Sequence, residues 1–176
     1  MSLRELRREE IQQMWSIDRS EIIDNIYHHE DGQLVLKPEH YDLKGWPAGE
    51  AENSSPWFLD CFDRGGTFYG AFENANLIGA AVLGSRFIGL AKDQLQLIFL
   101  HVSRSHRGTG LGRKLFELTV ARARELGARR LYISSNPSEN TVKFYLYLGC
   151  RVTEELNREL YEEEPEDIHL EYDIPK

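Results

Sequence analysis

Six consecutive residues, Arg107-Gly108-Thr109-Gly110-Leu111-Gly112, are the first in this chain whose types and spacing point to chemistry. An apolar run, Leu95–Val102, precedes them, and a segment with helical periodicity follows. Glycines let a backbone come close to a ligand and turn its N–H groups toward it. A helix starting at the same point aims the positive end of its dipole there. A buried strand, a basic glycine-rich turn and a helix thus make a cradle for an anion, most simply a phosphate. Arg107 stands at the mouth of this turn, placed either for a phosphate contact or as an ordinary surface arginine.

Three phosphate-binding patterns compete for the turn. The P-loop needs G-x-x-x-x-G-K-[ST], and no such run is present. The dinucleotide fingerprint needs G-x-G-x-x-G within βαβ units, whereas Gly108, Gly110 and Gly112 give G-x-G-x-G after hairpin-like segments. The third pattern, Arg/Gln-x-x-Gly-x-Gly/Ala after a strand, is matched by Arg107, Gly110 and Gly112. A glycine-rich turn without any ligand is the remaining reading. A second set of residues follows in NPSENTVKFYLYLGC: Asn140, Phe144-Tyr145 and Gly149. Asn136 is placed to cap a helix, with Pro137 in its first turn, Glu139 closing a capping box and Gly149 ending it. That accounts for the segment without a ligand, and core packing accounts for its aromatics.

Taken together, the two sets resemble the motifs of the GNAT acetyltransferase superfamily. In that family the first motif cradles the pyrophosphate of coenzyme A, and the second reads Asn-x-x-x-(aromatic or aliphatic)-Tyr-x-x-x-Gly-Phe. Cys150 stands where the family usually has phenylalanine. The likeness extends over residues 3–173 and implies acetyl-CoA as co-substrate, with no metal. Carried over residue by residue, it assigns cofactor contacts to Leu100, Val102, Arg107, Gly108, Thr109, Gly110, Leu111, Gly112, Arg113, Asn140 and Tyr145. Backbone N–H groups near Leu100–Val102 would polarise the thioester carbonyl and pair with the pantetheine arm. Tyr145 would protonate or hydrogen-bond the departing thiolate. The base is open, because Gln94–Val102 holds no carboxylate and His101 is its one titratable side chain, with Asp93 just before it. His101, a water chain or an acceptor of low pKa would each serve.

The implied activity is transfer of an acetyl group to a primary amine of a small molecule or peptide, by direct attack in a ternary complex. A catalytically silent coenzyme A sensor of the same fold is the alternative. A nucleotide-binding protein using the basic turn is a third reading, but it gives Asn140, Tyr145 and Gly149 no role.

The elements that must position these residues follow from periodicity. Leu3–Leu6 forms a short strand, and Glu9–Ile17 a helix with Ile11, Met14 and Trp15 inward. Asp18-Arg19-Ser20-Glu21 has capping spacing and predicts a second helix through Ile22, Ile23 and Ile26. Gln33–Lys37 reads as a short strand, and residues 38–56 as a long loop whose Tyr41 and Trp46 pack on a substrate or pin the loop to the body. Ser54-Ser55-Pro56 starts a helix ended by Gly65-Gly66. Thr67–Glu73 and Leu77–Gly84 flank Asn74-Ala75-Asn76 as a hairpin, which Leu95–Val102 extends. In the helix after the turn, Leu111, Leu115, Leu118, Thr119 and Leu126 share a stripe that Arg122 interrupts, so that it must snorkel or pair. Strand Arg130–Ser134, helix Pro137–Leu148 and strands near Cys150–Leu156 and Ile168–Tyr172 complete the chain.

The resulting order, β-α-α-(α)-β-β-β-α-β-α-β-β, is mixed α/β. The resemblance adds a central, mostly antiparallel sheet with one parallel, splayed strand pair flanked by helices. Residues 1–176 then form a single acetyltransferase domain, with 18–56 as the variable segment that selects the acceptor.

Composition excludes other classes. At 176 residues, 41% hydrophobic and 28% charged, the chain has the make-up of one ordinary globular domain. No apolar run approaches a membrane span and no apolar leader opens the chain, so a cytoplasmic, membrane-free protein is expected. Cys61 and Cys150 sit in apolar surroundings as reduced thiols, without metal-ligand spacing. His28-His29 is an isolated pair, surface or pocket histidines rather than a metal site. A net charge of −8 argues against nucleic acid. Within it, 104–130 is basic, which suits a polyanionic cofactor. Residues 154–167 are acidic, as a solvated loop or an attractor for a cationic acceptor. A homodimer is compatible with the resemblance.

Overall fold

Strands apolar on both faces belong between two covering layers, and the middle of this chain supplies them. In a computed structural model describing residues 1–176, the chain runs β1 (Ser2–Glu5), a 3₁₀ helix (Arg8–Ser16), β2 (Glu21–Glu30), β3 (Gln33–Leu43) and α1 (Glu50–Asp63). It continues through β4 (Thr67–Glu73), β5 (Asn76–Leu83), β6 (Gln94–Val102), a short 3₁₀ turn (Arg104–His106), α2 (Leu111–Glu125) and β7 (Arg130–Ser135). It ends with α3 (Glu139–Tyr147), β8 (Arg151–Val152), α4 (Arg158–Glu163) and β9 (Ile168–Asp173). Seven strands form one sheet in the order β1-β4-β5-β6-β7-β9-β8, and β2 and β3 form a separate hairpin. Only β6 and β7 are parallel in the large sheet, joined by the crossover helix α2.

Each face of the sheet has its own core. Leu111, Leu115, Phe116 and Ala123 of α2 pack on Leu95, Leu97, Leu131 and Ile133. On the other face, Ile11, Met14 and Phe58 pack on Phe68, Val82 and Phe99. Arg122, the interruption in the α2 stripe, pairs with Glu125 at 3.0 Å.

Several expected elements are corrected. The second helix through Ile22, Ile23 and Ile26 is strand β2. Ile23 and Ile26 are both buried, and a three-residue spacing in a strand imitates a helix face; a register shift falls between Ile23 and Asn25. Asp18 does not cap a helix; its carboxylate accepts the Ser20 N–H at 2.9 Å in a turn. The long loop 38–56 shrinks at both ends, because β3 runs through Pro38 to Leu43 and α1 starts at Glu50. Pro38 is accommodated in a two-stranded ribbon, where an N–H can be spared. Helix α1 begins after Gly49 rather than at Ser54, with Pro56 inside it. Trp46 pins the remaining loop by donating to the Ile17 carbonyl at 2.8 Å. The β4–β5 turn holds two residues, Asn74 and Ala75 at φ 48° and 69°, and Asn76 already pairs with Glu73. Ser138, not Asn136, caps α3, accepting the Thr141 N–H at 3.3 Å, while Asn136 accepts from Ser138 N at 2.9 Å. Glu139 closes no box there; it accepts from Asn25 at 2.8 Å and pairs with Lys143. The strand expected near Cys150–Leu156 is confined to Arg151–Val152, and the acidic segment carries α4.

Candidate functional site

The site begins where two parallel strands part. β6 and β7 pair only from Gln94 with Arg130 to Gln96 with Tyr132, although β6 continues to Val102 and β7 to Ser135. Beyond that point β6 keeps its other neighbour, β5, with Val82 opposite Phe99 and Leu83 opposite Leu97. Ile98 is the extra residue, a bulge of the kind that ends pairing and re-aims side chains. Before it, Leu95 and Leu97 face α2; after it, Phe99 joins the opposite core, while Leu100 and Val102 pack on the α2 side. The opened wedge is a cavity of about 840 Å³, lined by Leu97–Val102, Ser134, Ser135 and residues of the glycine turn and α3.

At one end of the cavity lies the glycine turn. Gly108 and Gly110 have φ of 75° and 83°, a region that L side chains avoid, and a Cβ at either would meet nothing within 4 Å. Gly110 precedes α2 without any side-chain cap, leaving the first N–H groups of a 15-residue helix unpaired. Thr109 turns its hydroxyl inward, donating to the His106 carbonyl at 2.7 Å. Gly112 lets α2 approach α3, since a Cβ there would sit 3.3 Å from the Phe144 ring. No acidic residue occurs from Arg104 to Phe116. Open backbone, helix dipole and local positive charge fit a pyrophosphate group.

Arg107 serves the scaffold as well. Its guanidinium donates to the carbonyls of Val102 and Ser20, each at 3.1 Å, and lies 3.8 Å from Glu21. It therefore ties the start of β2 to the end of β6. Arg113 faces the cavity and pairs with Glu117 at 2.8 Å.

α3 supplies the second wall. Asn140 donates to the Glu21 carboxylate at 3.1 Å, joining α3 to β2. Tyr145 is buried between Phe144 and Phe116, with ring centroids 5.1 and 6.3 Å away, and it lines the cavity. Burial holds its pKa above the ordinary phenol value, helped by Cys150 and Asp167. Its hydroxyl therefore stays protonated at working pH. Asp167 is itself pushed up to about 7 by burial and by Glu164. A carboxyl that is harder to ionise folded than unfolded stabilises the fold least at high pH. Asp167→Asn is accordingly expected to raise Tm at pH 8 by about 2–4 °C, the shift of ~1 kcal/mol in a chain of this size, and not at pH 3. Scanning calorimetry at the two pH values checks it.

His101 lies on the other face of β6, its ring 5.0 Å from Trp46 and 4.6 Å from Phe99. Burial, then Arg19 and Arg107, pull its pKa down to about 3. Arg19 lies over the Trp46 ring, 5.0 Å from its centroid. The cavity thus unites Leu100, His101, Val102, Arg107, Gly108, Gly110, Gly112, Arg113, Asn140 and Tyr145, all singled out from the sequence; Thr109 and Leu111 complete the turn behind it. Asp93 stays apart, bonded to Arg130 at 3.1 Å at the closed end of the β6–β7 pair. Sequence reasoning missed the place of Glu21, the one carboxylate in the lining, and of Arg19 and Arg104. For Arg19 and Glu21 the signal was masked by the helical spacing read into residues 18–26; Arg104 was visible only as part of the basic run 104–130.

Residues 23–150 match the model of the GNAT acetyltransferase family, and the chain belongs to that family. Its fold is similar to that of nourseothricin acetyltransferase, with a TM-score of 0.72 and 19% identity over 99% of this chain and 98% of that one. A candidate streptothricin acetyltransferase from Bacillus anthracis strain Ames, solved with acetyl coenzyme A, gives 0.71 and 18% over 97% and 96%. N-acetylglutamate synthase from Neisseria gonorrhoeae, solved with coenzyme A and N-acetyl-glutamate, gives 0.62 and 18% over 99% of this chain and 35% of that one. No curated protein matches at the level of sequence. No helix is long and apolar enough to cross a membrane.

Proposed function

We propose that this protein transfers an acetyl group from acetyl-CoA to a primary amine of a small molecule or peptide, by direct attack within a ternary complex. One observation carries the reading: an uncapped glycine cradle and Tyr145 line the same wedge between β6 and β7. Acetyl-CoA supplies the thioester, at which a carbon–nitrogen bond forms as the carbon–sulfur bond breaks. Gly108–Arg113 and the start of α2 would bind the pyrophosphate, and the free edge of β6 at Leu100–Val102 would hold the pantetheine arm and polarise the carbonyl. Asn140 holds Glu21 and the mouth of this channel in place. Tyr145 would give its proton to the leaving thiolate and regain one from solvent.

His101 would accept a hydrogen bond from the attacking amine. With a pKa of about 3 it is neutral at working pH, yet too weak a base to keep the proton, which water carries off. The acidic limb of the pH–rate profile therefore belongs to the acceptor. It is expected to move with the pKa of the amine supplied and to stay put in His101→Asn, as rate measurements on two amines of different pKa would show.

The deciding assay is thiol release from acetyl-CoA across amino acids, polyamines, aminoglycosides and short peptides, beside a calorimetric titration of acetyl-CoA. Amine-dependent release establishes the transferase; tight binding with no release on any amine favours the sensor. We further place residues 1–176 as a single domain of this kind, with acceptor choice in 18–56. The free thiols of Cys61, half-buried, and Cys150, buried, support a cytoplasmic setting.

A further inference from the structure

We propose that the acceptor is an amine that also carries an oxyanion, a carboxylate or phosphate ester, and that Arg19 receives it; this rests on the acetyltransferase reading above. The cavity lining contains four arginines, Arg19, Arg104, Arg107 and Arg113, against one acid, Glu21. Arg113 is paired with Glu117, and Arg107 is spent on backbone carbonyls and Glu21. Arg19 and Arg104 have no ion pair, in a chain whose 29 acids outnumber its 21 Lys and Arg.

Arg19 is set apart from the cradle charges by its side of β6. It rests on Trp46, whose ring also meets His101, whereas the glycine turn leads into α2 on the opposite face. A guanidinium stacked on an aromatic ring is held flat with its N–H edge free, the geometry that suits a carboxylate or phosphate. Its charge acts on the chemistry too. Arg19 helps keep His101 neutral, and a cation beside a bound ammonium lowers that ammonium's pKa and favours the nucleophilic free amine. The same charge repels polycationic acceptors. Glu21, held between Asn140 and Arg107, offers them little, and nothing from the acidic 154–167 segment lines the cavity.

The test uses matched acceptors with the full chain and acetyl-CoA: L-amino acids beside their carboxamides, 2-aminoethyl phosphate beside ethanolamine, and spermidine. An anionic acceptor is expected to show kcat/KM about tenfold or more above its neutral partner, as a charge-assisted hydrogen bond implies. Amino acids and the phosphate amine separate the two oxyanions. Arg19→Gln should raise KM for the anionic acceptor by a like factor and erase the preference, with unchanged acetyl-CoA affinity, while Arg19→Lys restores part of it. Equal or better use of carboxamides or spermidine, or an unmoved KM in Arg19→Gln, overturns the proposal. If no acceptor releases thiol, the transferase reading fails instead. The same compounds titrated calorimetrically into the coenzyme A-saturated protein then decide for Arg19: binding of an anionic member alone, lost in Arg19→Gln, upholds it, and any other result removes it.

Discussion

Tyr145→Phe is expected to lower kcat about a hundredfold, the lower end of what a positioned proton donor contributes, and to leave acetyl-CoA affinity unchanged. The substitution removes one oxygen and keeps the ring that Phe116 and Phe144 enclose. Because burial raises the phenol pKa, the hydroxyl stays protonated throughout an ordinary assay range. The wild-type rate should accordingly show no basic limb from this group. Steady-state kinetics beside a calorimetric titration separate the outcomes. A fully active variant removes the proton-donor role, and a variant that loses acetyl-CoA binding assigns Tyr145 to packing.

Gly110→Ala carries the second large effect. At φ 83° an alanine costs about 1–2 kcal/mol of strain, and its methyl stands in open space at the residue that precedes α2. Acetyl-CoA affinity is expected to fall by about ten- to a hundredfold, the loss of one or two charge-assisted hydrogen bonds. Gly127→Ala is the control. It has φ 92° and equal free space, but it follows the far end of α2, outside the cavity lining. Both variants should lose similar stability in denaturant unfolding, and only Gly110→Ala should lose the ligand. Equal affinities in the two would detach the cradle from coenzyme A.

The parts of the fold legible in the sequence are those in which local pattern and tertiary environment agree. The β4–β5 hairpin, α2 with its apolar stripe, and the glycine turn all have short-range signals strong enough to survive packing. Both motif sets therefore fell into one cavity. The segment from Asp18 to Ser55 was misread because it packs outside the main sheet. Its strands bury residues three apart and carry a proline, so neither strand alternation nor strand composition appears. With β2 taken for a helix, Glu21 became a capping residue, and segment 18–56 was given to the acceptor without the contacts that bring Arg19 and Glu21 to the cavity. Ser138 displaced Asn136 as the cap of α3 through a difference of two residues that spacing does not resolve. The bulge at Ile98 has no mark in the sequence; it shows only in the register of β6 against β5, next to where β6 and β7 stop pairing.

Alternation beyond that inserted residue divides labour along a single strand. Past Ile98, Leu100 and Val102 look toward α2 and Tyr145's side of the wedge, while Phe99 and His101 look toward Trp46 and Arg19. Positions of opposite parity thus face opposite rooms under one shared backbone edge, those of cofactor and acceptor on the function proposed above. On that reading, side chains of the acceptor room can be exchanged without disturbing the edge that would face the thioester. Removing Ile98 would bring Phe99 directly after Leu97 in plain alternation, deleting the bulge while both sets keep their present faces.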